Sequence, residues 1–434
     1  MRVGIETWGS DGDIRPLIAL GGGLAARGHE VTLAATSVDD KDYGALCAAL
    51  GIEYIKVVER VNLDFVHFRE RFLKTKSTMK VMSELLDATF YPHLDRMSQI
   101  ARTLAGSSDV VIGHFFMFPL KAAAAKTGVP YASVTLWPAA VPSAYRPPFR
   151  FPNLGRALNR FQWKFAEWVL DRALRKRVTT AWENEGLSPP KHALGGALAS
   201  DTLNLIAASG IFCKGYPDWG TRHRVVGFLN VPEASENWSP SPMLVKFLQE
   251  DEPPVYMTLG SSGQIVPEEG MELMISAAEI AGCRAVVQTM SAKYLPGTQR
   301  GTAYFIGRAP HAQVFPRCAA VVHHGGAGTT HTVARCGRPS AIVAFSDEQL
   351  FWGGELRCLG IAAAPIPFRK ATSEKLARAI RFALDSPDAG RRAEEVAERM
   401  RREDGVATAV QLVEELAGTA RAAGSGERSS RSGQ

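Results

Sequence analysis

The chain has 434 residues, enough for two domains with separate cores. Its 46% apolar and 22% charged residues are ordinary for a globular protein, and no apolar run reaches the length of a membrane span. The net charge of +6 is spread along the chain with no nucleic-acid-binding motif, and the six scattered cysteines, with no Cys-x-x-Cys pair, read as reduced core residues of a cytoplasmic protein.

The elements alternate between short apolar strands and helices, the pattern of doubly wound α/β domains. Arg2 to Thr7 reads as a strand rather than a signal peptide. A polar turn from Gly9 to Pro16 follows, then a helix from about Leu17 to Arg27 and a strand from Val31 to Ala35. An aromatic-rich region holds Phe65, Phe68, Phe72, Phe90, Tyr91, Phe115, Phe116 and Phe118, with strands expected at Asp109 to Gly113 and Tyr131 to Thr135. A long helix from Arg156 to Glu185 mixes Phe161, Trp163, Phe165 and Trp168 with the basic run Arg175-Lys-Arg177.

Val231 to Pro242 shifts to Pro, Ser and Glu and reads as a linker. Beyond it the alternation restarts, with strands at Val255 to Leu259, Ala285 to Gln288, Ala303 to Ile306, Ala319 to Val322 and Ser340 to Ala344. Gly260 to Gly263 forms a turn and Glu268 to Ala281 a helix. The division expected is a first domain over 1–232, a linker over 233–253, a second domain over 254–400, a helix over 401–420 crossing back to the first domain, and a disordered tail over 421–434.

The segment from Ala319 to Ala334 carries the clearest chemistry. A buried strand leads into His323-His324, a glycine-rich turn and a helix that includes Thr329 and Thr330. A helix that begins this way offers free backbone N–H groups and the positive end of its dipole to an anion. No lysine follows the glycines, so this is not a Walker-type loop. A tight connection with no ligand is the competing reading. The two histidines and two threonines favour a diphosphate.

Further motifs stand in order from residue 1 to about residue 380. They are Gly9-Ser-Asp-Gly-Asp13 with Pro16, Pro217-Asp-Trp219 followed by Val226-Gly-Phe228, Pro310-His311 with Phe315-Pro316, His323 to Thr330, and Glu348-Gln-Leu-Phe-Trp-Gly353. Together they resemble the GT-B glycosyltransferases of the sterol and antibiotic glucosyltransferase group. The resemblance implies two Rossmann-like domains facing each other across a cleft, the first binding the acceptor and the second the nucleotide sugar. It implies inverting transfer of a hexose, glucose from UDP-glucose in the first instance, to a hydroxyl of a sterol, triterpenoid, polyketide or glycolipid. No cofactor and no metal are implied. A dTDP-deoxysugar transferase is the enzyme alternative, and a catalytically silent homologue that stabilises a partner is the alternative from another class.

Carried over residue by residue, the resemblance makes Asp13 the general base. It places Ser261, His324, Gly326, Gly328 and Thr329 at the donor diphosphate, and His311 and Val314 in the segment that meets the nucleotide base. Glu348 and Gln349 fall to the donor sugar. Trp8, Phe65, His114, Phe116 and Trp137 are candidates for an apolar acceptor pocket. Asp13 also has a structural use, as a cap of the first helix. The group's arginine in this turn is Asp11 here. A second carboxylate there tends to raise the pKa of Asp13, with Arg15 opposing it, and Asp11-Gly-Asp13 also raises a metal-binding reading. The partners expected are a UDP- or dTDP-sugar and a hydrophobic small-molecule or lipid acceptor, with no nucleic acid. The basic-aromatic helix adds contact with a membrane surface, and the chain is a monomer or a dimer.

Overall fold

The computed structural model describes all residues except 62, 76–77, 233–237, 251 and 432–434, and omits the side chains of 65–67, 73, 78–79, 421 and 423–431. Two compact units divide the chain. The first comprises Met1–Asn62, Leu86–Ser235 and Asp404–Gln434, and the second Leu63–Leu85 and Glu236–Glu403.

The first unit is built on a parallel sheet of seven strands: β1 (Arg2–Gly9), β2 (Glu30–Ser37), β3 (Ile52–Lys56), β4 (Val110–His114), β5 (Tyr131–Thr135), β6 (Leu203–Ile206) and β7 (His223–Val225). Their order is β3-β2-β1-β4-β5-β6-β7. The chain winds outward from β1 to β3, then returns to the other side of β1, so the direction reverses between β1 and β4. Such sheets are covered on both faces, which is why their strands are near-continuous apolar runs. Val3, Ile5, Leu33, Val110, Ile112 and Val134 all lie in one buried cluster.

The second unit repeats the plan with β8 (Val255–Thr258), β9 (Ala285–Gln288), β10 (Gln299–Arg300), β11 (Ala303–Ile306), β12 (Ala320–His323), β13 (Ser340–Ala344) and β14 (Ile366–Pro367). The order is β10-β11-β9-β8-β12-β13-β14, and only β10 with β11 runs antiparallel. Here the reversal falls between β8 and β12.

Two parts of the expected division change. Leu63–Leu85 groups with the second unit rather than with residues 1–232. The Phe72 ring packs 6.0 Å from that of Phe345, and the Arg369 guanidinium lies 4.8 Å over Phe72. The tail expected to be disordered from 421 continues the helix Gly405–Arg431. That helix groups with the first unit, where Ala409, Val410, Leu412, Val413 and Ala417 join the cluster around β1. Gly23 on the helix Asp11–Ala26 makes the close approach possible, because a β-carbon there would overlap Val406.

One core residue stands out chemically. Glu6, on β1, is fully buried, and neither carboxyl oxygen has a hydrogen-bond partner. It lies level with Gly113 of β4, and a β-carbon on Gly113 would meet the Tyr131 hydroxyl at 2.8 Å. Burial pushes the Glu6 carboxyl well above its ordinary value of 4.5. A carboxyl raised by folding stabilises the native state only below its unfolded value and costs stability as pH rises past it. Glu6→Gln, which cannot ionise, should therefore raise the melting temperature at pH 7, and the gain should shrink as pH falls towards 4.5. Thermal unfolding of both proteins between pH 4 and pH 8 checks this. A variant less stable than the parent at pH 7 would refute it.

Candidate functional site

Five of the predicted residues lie in the first unit and ten in the second, most of them in the turns after strand carboxyl ends, where open α/β sheets bind ligands. In the first unit β1 ends at Gly9, and the helix begins at Asp11, six residues before the expected start at Leu17. The reason is a cap. Asp13 Oδ2 accepts a hydrogen bond from the Ser10 backbone N–H at 2.8 Å and another from the Ser10 hydroxyl at 3.0 Å, holding the first turn closed. Gly9, at φ +141°, lets the carboxylate approach, since a β-carbon there would overlap it. Asp13 is thus locked by one oxygen, with Oδ1 left for a further donor. Asp11 is engaged elsewhere: it accepts from the Tyr43 hydroxyl at 3.1 Å and lies 3.4 Å from Lys41 Nζ.

His114, the last residue of β4, is buried, and its Nδ1 has no hydrogen-bond partner. Burial lowers its pKa, and the nearby Asp13 carboxylate pulls it back up. That opposition brings His114 and Asp13 into one electrostatic neighbourhood.

The predicted aromatics divide. Trp8 donates from Nε1 to the Thr89 carbonyl at 3.2 Å and packs on Phe90 at 5.3 Å and Phe116 at 6.1 Å. Phe90 and Phe118 complete this group, each 5.5 to 6.4 Å from Phe116. Both belong to the aromatic-rich region of the sequence from Phe65 to Phe118. Trp137 packs instead on Phe149, at 6.1 Å. Phe65 belongs to the second unit, and its side chain lies outside the described residues.

In the second unit β12 delivers the two histidines. His323 Nδ1 accepts from the Gly325 N–H at 3.1 Å, which fixes the turn and assigns the ring proton to Nε2. The His324 ring occupies a slot between backbone segments: β-carbons on Gly260 and on Gly326 would each overlap it. Burial lowers the His324 pKa to about 4 and His323 well below its ordinary range, so both imidazoles are neutral near pH 7. The helix Ala327–Arg335 follows, capped by Gly326, and its first backbone bond runs from Thr330 N–H to the Gly326 carbonyl at 2.9 Å. The N–H groups of Ala327, Gly328 and Thr329 precede that bond and supply the anion-binding end.

Ser261 lies in the turn Gly260–Ile265 that leads from β8. The next residue, Ser262, was not predicted. Its hydroxyl accepts from Gln349 Nε2 at 3.0 Å, while Gln349 Oε1 accepts from the Phe345 N–H at 2.6 Å. Glu348 Oε1 accepts from Trp352 Nε1 at 3.3 Å. Both acidic and amide side chains sit in the first turn of the helix Asp347–Cys358, half-buried. Ser261, His324, Gly326 and Gln349 are therefore joined by direct contacts between their loops. The His311 ring stacks on Phe315 at 4.5 Å. Val314 is buried in the core beside Phe315, so it anchors this segment rather than facing a ligand.

Known proteins share this chain's sequence and fold over most of its length. Residues 274–416 match the model of the erythromycin biosynthesis protein CIII-like C-terminal domain. The O-mycaminosyltylonolide 6-deoxyallosyltransferase of Streptomyces fradiae is 31% identical over 433 residues, covering 96% of this chain and 98% of that protein. A sterol 3-beta-glucosyltransferase of Arabidopsis thaliana is 37% identical over 198 residues, 44% of this chain and 30% of that protein. The structure of the glycosyltransferase VinC in complex with dTDP aligns over 97% of this chain and all of that one, with a TM-score of 0.66 at 19% identity.

Two measurements test the second unit. Gly260→Ala places a methyl group in the His324 slot at a backbone angle of φ +55°, and should cost about 1–3 kcal/mol of stability and weaken nucleoside diphosphate binding at least about tenfold. Unchanged calorimetric binding would show the slot to be unimportant. His324 and His331 have folded values near 4 against 6.5 in the unfolded chain, so their contribution is intact above pH 6.5 and is lost as pH falls from 6.5 to 4. In NMR spectra these rings should keep neutral-form shifts at pH 5.5. Titration near pH 6.5 would contradict the burial argument.

Proposed function

We propose a specific reaction for this chain, which belongs to the GT-B glycosyltransferases of the antibiotic and sterol group: inverting transfer of a hexose from a nucleoside diphosphate to a hydroxyl of a hydrophobic acceptor. The observation that carries the reading is the slot of His324 at the N-terminus of the helix Ala327–Arg335, a fixed set of donors shaped for a departing diphosphate. Such donors act without reorganising as charge develops on the leaving group, commonly the largest electrostatic contribution to catalysis.

Acceptor activation falls to the first unit. An alcohol attacks well only when its proton leaves during attack, and Asp13 is a carboxylate already oriented by Ser10. The acceptor oxygen bonds to the anomeric carbon as its proton passes to Asp13. The bond from that carbon to the phosphate oxygen breaks on the opposite face, its electron pair leaving with the diphosphate. His114, kept neutral by burial and influenced by the Asp13 charge, is assigned to orienting Asp13 or the acceptor hydroxyl. Phe116, half-buried over the closed aromatic core of Trp8, Phe90 and Phe118, is the member of this cluster that can face a sterol, triterpenoid, polyketide or glycolipid.

Donor binding falls to the second unit. Ser261, His324 and the N–H groups of Gly328 and Thr329 hold the diphosphate, Gly326 giving the ring room. His311 meets the base, and Val314 anchors that segment in the core beneath it. Glu348 and Gln349 bring a carboxylate and an amide side by side in the first turn of the helix Asp347–Cys358, chemistry that matches the hydroxyls of a hexose such as glucose from UDP-glucose. A second reading, a 6-deoxyhexose carried by dTDP, draws on the full-length likeness to a 6-deoxyallosyltransferase and on the dTDP bound to the VinC structure. No metal enters either reading.

Asp13→Asn should lower kcat by about 10²- to 10⁴-fold while leaving nucleotide affinity intact. Product analysis by mass spectrometry with pooled apolar alcohols, alongside calorimetry with UDP and dTDP, measures both. A rate within tenfold of the parent would remove Asp13 as the base. Activity should survive EDTA, and loss restored by magnesium or manganese would revive the Asp11/Asp13 metal reading. A panel of UDP-glucose, dTDP-glucose and a dTDP-6-deoxyhexose separates the two donors, and failure of all three to bind would end the proposal.

A further inference from the structure

The long helix Arg156–Glu183 has two unlike faces. Trp163, Leu174, Val178, Ala181 and Trp182 are buried against the first unit. On the opposite side Leu158, Phe161, Phe165 and Trp168 fall three or four residues apart, the spacing that lines them along one stripe. They are exposed by 50, 68, 48 and 58%, and Phe165 stacks with Trp168 at 5.9 Å. The preceding segment extends the stripe with exposed Phe151 and Leu154. Single exposed apolar residues need no explanation, but a continuous aromatic row marks a surface that meets something.

The charges around the row say what. From Tyr145 to Ala166 there is no acidic residue, whereas Arg146, Arg150, Arg156, Arg160 and Lys164 are all basic. One turn beyond Trp168 the same exposed face continues as Arg172, Arg175 and Lys176. The nearest acids are turned away: Asp171 is buried and accepts from the Ala193 N–H at 2.5 Å and pairs with His192, and Glu167 points towards Gly195. Two copies of this face would bring like charges together. An anionic surface would neutralise them.

We infer that this face docks the protein on an anionic lipid bilayer, with Phe161, Phe165 and Trp168 seated at the level of the headgroups and the flanking arginines and Lys164 paired with lipid phosphates. The indole of Trp168 favours that depth, phenyl rings enter the adjoining headgroup–acyl boundary, and each cation near a charged membrane contributes about 1 kcal/mol. No helix among the described residues is long and apolar enough to cross a membrane, so the contact is along the surface. Docking of this kind needs neither the sugar donor nor the residues assigned to transfer.

Flotation of the full chain with phosphatidylcholine vesicles, with and without phosphatidylglycerol, tests the inference. The protein should float with the phosphatidylglycerol vesicles at low salt and lose about tenfold or more of that binding at high salt. Phe161→Ser with Trp168→Ser, and separately Arg160→Glu with Lys164→Glu, should each reduce flotation about tenfold or more, with unchanged melting temperature because all four side chains are exposed. The inference fails if the parent does not float with anionic vesicles, if it binds neutral ones equally, or if both variants float like the parent. It fails equally if sedimentation without vesicles shows a dimer that the Phe161/Trp168 variant dissolves.

Discussion

The second unit's loops are arranged around one ring that cannot move. His324 is closed in by the backbones at Gly260 and Gly326, each approaching so closely that any side chain would overlap it. The slot registers the turn after β8 against the start of the helix after β12. Gln349 extends that registration to a third loop through Ser262 and Phe345. Three segments far apart in sequence are thereby held at fixed distances, which is what preorganised binding of a charged group demands.

Neutrality is as important as position. Burial keeps His323, His324 and His331 uncharged, so the positive potential at this turn comes from oriented backbone dipoles rather than from an imidazolium. A neutral ring still offers one N–H, and it avoids the far larger cost of burying a charge in a dry site. The first unit shows the same economy with carboxyl groups. Glu6 and Asp13 are seven residues apart on one strand and its turn, but Glu6 has no partner and is pushed towards its protonated form, whereas Asp13 has two donors from Ser10. Environment, not residue type, separates their chemistry.

Much of the fold is legible in the sequence where the signal is local. Tyr131–Thr135, Ala285–Gln288, Ala303–Ile306 and Ser340–Ala344 are short apolar runs between turn residues, and they are strands with the bounds the pattern gives. The first helix begins earlier than its apolar spacing suggests, because the Ser10–Asp13 cap closes a turn that Gly12 and Pro16 disguise. The strand Ile52–Lys56 carries Glu53 and Lys56, and β10 and β14 have two residues each, so none offers a periodic signal. Motif residues around His324 and Asp13 were readable from their turns. Ser262 was not, since its partner Gln349 stands 87 positions away, and Phe72 needed the pairing with Phe345 to reveal which unit it serves.

The helix at the end of the chain has a consequence for how the molecule is made. Its residues Ala409, Val410 and Val413 complete the cluster around β1, although some 400 residues of synthesis separate the two segments. A ribosome emitting this chain releases the second unit whole while the first still lacks part of its wall, with the Gly23 surface open. The first unit is thus begun earliest and finished last, the order in which an incomplete apolar face is exposed longest and chaperone binding is most useful. A chain cut short after the second unit would carry that face permanently.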